Sequence, residues 1–177
     1  MPKSQNLYPG EIRKPQFIEF GKIPVNQYNR SIEDEKNRFS NDDFLRIYHD
    51  MVIIREFETM LNLIKTTSEY RGISYNHPGP AHLSIGQEAA AVGMAYTLGT
   101  DDYIFGSHRS HGEILAKGLP AIHRLEEDTL YGIMKNYFAG KALSVVEKGL
   151  SGTVRELAIR FLLYGALAEI FARENGF

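Results

Sequence analysis

Three places in the chain gather side chains able to do chemistry. They are His77 in a loop dense in Pro and Gly, His82 a few residues later, and the run Gly106-Ser107-His108-Arg109-Ser110-His111-Gly112. His77, His82, His108 and His111 could offer imidazoles to a metal ion. Arg109 stands between the last two, however, and a fixed cation is a poor neighbour for a metal. No Asp or Glu lies inside the same run. An anion site suits these residue types better. Gly106 and Gly112 would let the backbone approach a ligand closely. Arg109 carries a planar, permanently charged fork suited to phosphate or carboxylate. Ser107, Ser110 and the imidazoles add neutral donors. The competing use of Arg109 is an ion pair with Asp101, Asp102 or Glu113 that pins the loop. Other chemistries lack their signatures. The chain has no Gly-x-Gly-x-x-Gly, no phosphate-loop Gly-Lys-Ser/Thr, no His-Glu-x-x-His, no Gly-x-Ser-x-Gly elbow and no calcium-loop carboxylate spacing.

These residues need elements to hold them. Ser40-Asn41-Asp42-Asp43 is a capping-box signature. The apolar series Phe44, Ile47, Tyr48, Met51, Val52, Ile54, Phe57, Leu61, Ile64 follows it at helical spacing. A helix of about 20 residues, buried on most sides, is expected there, with Arg55, Glu56 and Glu58 on a solvated or partner-facing edge. The segment 71–80 reads as loop. A second capping box at Ser84 and Gln87 predicts a helix ending at Gly99. Tyr103-Ile104-Phe105 is a candidate for a short buried strand. Glu113 to Lys117 reads as a short helix stopped by Gly118. Residues 124–138 have a weak helical period. Thr153-Val154-Arg155-Glu156 caps a last helix closed by Gly176.

The chain has 177 residues, about one domain's length, enough to bury about 70% of the unfolded surface. Its 43% hydrophobic and 24% charged residues are ordinary globular composition. The 20 basic and 22 acidic side chains give a net charge of −2, which disfavours nucleic acid as a partner. Zero Cys excludes disulfides, thiolate metal sites and thiol nucleophiles, and fits a cytoplasmic setting. No apolar run reaches the length of a membrane span, and MPKSQNLYPG lacks the apolar centre of a signal peptide. Residues 1–39 hold four of the seven prolines, with seven basic and five acidic side chains. They read as an extended arm, leaving 40–177 as the body.

One ordered series carries a family resemblance. It runs His82-Leu83-Ser84-Ile85-Gly86-Gln87-Glu88-Ala89, Val92-Gly93, Asp102, Ser107-His108-Arg109-Ser110-His111-Gly112, Leu115-Ala116, Gly118. It resembles the alpha subunit of the thiamine-diphosphate-dependent 2-oxoacid dehydrogenases of the pyruvate, branched-chain and acetoin complexes. Met51 to Met60 is similar to the helix preceding that series, and the last helix is similar to larger forms in which alpha and beta halves are fused.

The resemblance implies an α/β thiamine-diphosphate-binding fold, of which 40–177 would be a mostly helical N-terminal portion with a short parallel-sheet strand. It implies oxidative decarboxylation of a 2-oxoacid with acyl transfer to a lipoyl group. His82 would contact the 2-oxoacid, Arg109 the diphosphate, and His111 would support or serve the catalytic loop. His108 stands where the family has Tyr and would also face the cofactor. Gln87 and Glu88 would be structural. The family's Gly-Asp-Gly segment for magnesium is not in this sequence, so no metal ligand is expected in it. The magnesium ligands and the carboxylate of the beta half would lie outside it, and the piece alone would be inactive. Implied partners are the beta subunit or half, the lipoyl-bearing acyltransferase and an oligomer, with no membrane. The alternative is a non-catalytic helical assembly domain derived from that family.

Overall fold

The computed structural model describes residues 8–17, 22, 27–75, 79, 81–148 and 152–177; His77 lies outside them. The chain divides into two units, Met1–Arg38 and Phe39–Phe177. The first carries two four-residue helices, α1 (Pro9–Ile12) and α2 (Ile32–Glu35). Ser31 and Asp34 form a capping box at the start of α2. Glu35 accepts from the Tyr28 hydroxyl at 2.9 Å and pairs with Arg30 and Arg38.

The second unit begins with α3 (Asn41–Thr67), 27 residues long. The Ser40–Asp43 capping box forms as its sequence predicts, each partner satisfying an otherwise orphaned N–H. The helix outruns the expected 20 residues and is buried along one face, not on most sides. Leu45, Tyr48 and Val52 stay exposed, while Ile54, Phe57, Leu61 and Ile64 turn inward. An antiparallel hairpin follows, β1 (Glu69–Tyr70) and β2 (Ile73–Ser74), with Tyr70 opposite Ile73. Then come α4 (Glu88–Ala95), α5 (Ser110–Arg124) and α6 (Glu127–Asn136). A 3-10 turn (Tyr137–Gly140) leads to α7 (Lys141–Val146) and α8 (Val154–Ile170). Thr153 and Glu156 close the predicted capping box at α8.

Two apolar clusters organise these helices. Ile54, Phe57, Leu61 and Ile64 of α3 pack with Val92 and Ala95 of α4, Leu115 and Ala116 of α5, and Ala166 of α8. Ile122, Leu130, Met134, Leu143, Val146, Ala158 and Phe161 form the second cluster. α5 and α8 join the two.

Several expectations are corrected. Tyr103-Ile104-Phe105 is not a buried strand: Tyr103 is 91% and Phe105 99% exposed, in non-regular backbone. An isolated strand has nothing to satisfy its backbone groups. The hairpin is the sheet found among the described residues, and it is antiparallel, not parallel. The second helix starts at Glu88, not Ser84, because Ser84 spends its N–H and hydroxyl elsewhere. The short helix at 113–117 runs on to Arg124 through Gly118 and Pro120. The last helix ends at Ile170, before Gly176. Among the described residues no helix is long and apolar enough to cross a membrane.

Candidate functional site

The polar cluster sits where α3, the segment before α4 and the start of α5 meet. Its centre is Glu58. This carboxylate falls at the register of the inward stripe of α3 and is fully buried. One oxygen, Oε1, lies 2.5 Å from His111 Nδ1, and the other accepts the Ser84 N–H at 2.8 Å. The second ring nitrogen of His111, Nε2, donates to the His82 carbonyl at 2.8 Å. The Ser84 hydroxyl donates to the Arg109 carbonyl at 2.8 Å. Two bonds to Glu58, and two more between the His82–Ser84 segment and the Arg109–His111 loop, thus fasten both stretches to α3. Glu58 is therefore on neither the solvated nor the partner-facing edge that its residue type suggests. Its signal was register: it follows Ile54 by four residues and precedes Leu61 by three, inside the apolar stripe.

The loop is shaped by close packing. A Cβ on Gly112 would stand 2.8 Å from the Ser84 side chain, and one on Gly106 would stand 2.5 Å from Ser110 Cβ and 2.7 Å from Glu113 Oε2. Both glycines therefore serve contact within the protein, where the sequence suggested approach to a ligand. The Ser107 N–H donates to Glu113 at 3.0 Å, and the Arg109 N–H to the Ser107 hydroxyl at 3.2 Å.

The expected site residues come together around this scaffold. The His82 and His108 rings meet edge to face, with centroids 5.0 Å apart. His82 and His108 are exposed, Arg109 and His111 partly buried. The Arg109 guanidinium makes no ion pair or hydrogen bond with any described residue. Its three candidate partners do not take it: Glu113 is bound to Ser107, Asp102 accepts from the Gly99 N–H at 2.6 Å, and no pair joins Arg109 to Asp101. Burial opposes charge on His111, but the Glu58 hydrogen bond and charge, the His82 carbonyl and Glu113 together raise its pKa above the ordinary histidine value.

Glu88 supports the segment from the other side. It accepts from the Gly86 N–H and forms a two-pronged pair with Arg55 at 2.7 and 2.9 Å. The Arg55 hydrogen bond is the main cause that holds its pKa at about 2. Arg55 is therefore a structural partner, not a spare surface charge. Among the described residues, no group of three or more His, Asp or Glu could hold a metal ion. A cleft of about 540 Å³ lined by Glu56, Met60, Leu63, Tyr70 and Arg71, among others, shares no residue with this cluster.

Comparison with known proteins places the sequence in a family. The profile of the dehydrogenase E1 component family matches residues 50–152. The alpha subunit of acetoin:2,6-dichlorophenolindophenol oxidoreductase from Cupriavidus necator is 32% identical over 115 residues, 63% of this chain and 32% of that protein. The alpha subunit of the pyruvate dehydrogenase E1 component from Rhizobium meliloti is 37% identical over 83 residues, 47% of this chain and 22% of that protein. The mitochondrial E1 alpha subunit from Schizosaccharomyces pombe is 30% identical over 111 residues, 63% of this chain and 25% of that one. No solved structure matches the chain. It spans about a third or less of the length of these relatives. The matched profile covers α4, α5 and the whole Glu58–His111 cluster, and the chain belongs to the dehydrogenase E1 component family.

Proposed function

We propose that this chain supplies the anion-recognising part of a thiamine-diphosphate-dependent 2-oxoacid dehydrogenase. The reaction would be oxidative decarboxylation of a 2-oxoacid with acyl transfer to a lipoyl group. The observation that carries the reading is the Arg109 fork, held on a fastened loop between two histidines with no carboxylate among the described residues paired to it. Its relatives are named as pyruvate and acetoin enzymes, which supports a small 2-oxoacid or related substrate.

The donor set fits a diphosphate. Arg109 would take two phosphate oxygens through parallel N–H bonds, and His108 would add a ring N–H in place of the family's phenol. Thiamine diphosphate, when bound, supplies a thiazolium carbon nucleophile and electron sink. His82 would donate to the substrate carboxylate or to negative charge developing on its oxygen. His111 would hold the loop through its two nitrogens. In this reading the magnesium ligands would come from outside this chain. The activating carboxylate would come from a beta subunit or half, and the acyl group would leave on an acyltransferase. In this reading residues 40–177 form the N-terminal portion of a thiamine-diphosphate-binding fold and residues 1–39 an arm. The lack of cysteine is in keeping with a reducing compartment such as the cytoplasm.

The test uses the assembled enzyme. Arg109→Ala weakens thiamine diphosphate by about 1–3 kcal/mol in calorimetry, the worth of a charged hydrogen bond. His82→Ala lowers turnover with cofactor affinity nearly unchanged. Wild-type affinity in the first variant removes Arg109 from the site, and wild-type turnover in the second removes His82. Both together favour a non-catalytic assembly domain.

A further inference from the structure

We infer that Glu58 is a positioning residue of this site: its carboxylate holds the His111 ring with a proton on each nitrogen and, through Ser84 and His111, fixes the backbone on both sides of the histidine cluster. The inference rests on reading that cluster as an anion site. The argument is one of donors and acceptors. His111 Nε2 faces the His82 carbonyl at 2.8 Å, and a carbonyl only accepts, so Nε2 carries a proton. Nδ1 faces Glu58 Oε1 at 2.5 Å. Without a proton between them, a ring lone pair would point at a carboxylate across that distance. With one, both hydrogen bonds form and the pair is neutral overall. Glu58 is completely buried, and an unpaired charge there would be expensive. Its other oxygen is occupied by the Ser84 N–H, so no alternative donor relieves it.

The groups facing His111 come from each neighbouring element. They are Glu58 and the Phe57 ring on α3, the His82 carbonyl before α4, and Glu113 on α5. Three of the four favour the charged ring. The consequence for the site follows from counting charge. When the pair loses its shared proton, its net charge steps from zero to −1 beside Arg109, and an anion there is repelled.

Glu58→Gln is the discriminating variant. The Gln carbonyl can accept from Ser84 while its amide donates to Nδ1, so every hydrogen bond survives with a neutral ring. The full chain, labelled with nitrogen-15 on histidine, is followed by long-range proton–nitrogen correlation from about pH 5 to about pH 9. The wild-type His111 ring is expected to show two protonated nitrogens at neutral pH and to titrate above the ordinary histidine range. In Glu58→Gln it holds a proton on Nε2 alone and titrates below that range. Inorganic diphosphate is the binding probe. Wild-type affinity falls about tenfold as His111 deprotonates, the weight of one added charge in a partly solvated site. In Glu58→Gln that step is absent at neutral pH and moves below the ordinary histidine range with the ring's own titration; His82 and His108 are common to both proteins and cancel. A wild-type His111 that titrates in the ordinary range, or an unchanged titration in Glu58→Gln, overturns the role of Glu58 whatever diphosphate does. The wild-type titration alone decides this if the variant does not fold. An intact two-proton signature without diphosphate binding overturns the anion-site reading and leaves Glu58 as the holder of His111.

Discussion

Two carboxylates on α3 show how local pairing decides what burial does. Asp50 and Glu58 are both fully buried. Glu58 is saturated with partners, so truncating it strands a partly buried imidazole and a buried N–H. Glu58→Ala should cost about 3–5 kcal/mol in denaturant unfolding, as for a broken buried pair. A cost under about 1 kcal/mol would mean that the short bonds do not hold in solution. Among the described residues neither oxygen of Asp50 finds a hydrogen-bond partner, and its nearest ionic neighbour there, His49 Nδ1, is 3.6 Å away. Burial pushes its pKa above the ordinary aspartate value, with His49 and Arg46 only partly opposing. The folded state then holds this proton more tightly than the unfolded chain. The penalty is absent below about pH 3.8 and grows until the pH passes the folded value. Asp50→Leu should therefore raise the unfolding midpoint, by more at neutral than at acid pH. An equal or lower midpoint at pH 7 would reveal a partner for Asp50. Neither case was legible from residue type. The positions fall in the apolar register, which shows that they are buried but not what meets them.

At the scale of elements, the capping boxes at Ser40 and Thr153 were readable because both partners lie within four residues and need no tertiary help. The box at Ser84 has the same letters and does not form, because Glu58 and the Arg109 carbonyl, distant in sequence, compete for Ser84. The extent of α5 was hidden for a similar reason. Gly118 reads as a stop, yet it serves close packing: an added Cβ would meet Leu162 of α8 at 2.6 Å. Pro120 removes one helical N–H bond, and the buried Leu115, Ala116, Leu119 and Ile122 around it carry the helix through. The same packing makes a prediction at the junction of α5 with the segment before α4. Gly112→Ala would place its Cβ 2.8 Å from Ser84, with Ile54 at 3.9 Å behind it. This overpacking should cost about 1–3 kcal/mol and loosen the Ser84–Arg109 bond. The Ser84 amide donates to Glu58 from the same segment, and its hydrogen exchange reports that loosening. Unchanged protection there would show that the loop shifts freely to make room.

Across Phe39–Phe177, the two apolar clusters bury the inner faces of the helices, and the segment between α4 and α5 leaves two large aromatics in water. Tyr103 and Phe105 are almost wholly exposed. With Ile104 they form the short continuous apolar run that suggested a buried strand, and that pattern states a need for a partner without naming one. The sequence could therefore reveal that these side chains want burial, while pairing depends on chain that must approach from elsewhere. Leu45, Tyr48 and Val52 add exposed apolar surface on α3. Apolar surface of this kind promotes association when left in water. The purified chain should thus show a concentration-dependent mass above that of a monomer in light scattering. Tyr103→Ser with Phe105→Ser should lower that mass without shifting the unfolding midpoint, because neither side chain belongs to a core cluster. A monodisperse monomer at high concentration would show that the loop covers its own aromatics. A lowered midpoint in the double variant would place them inside the fold of the free chain.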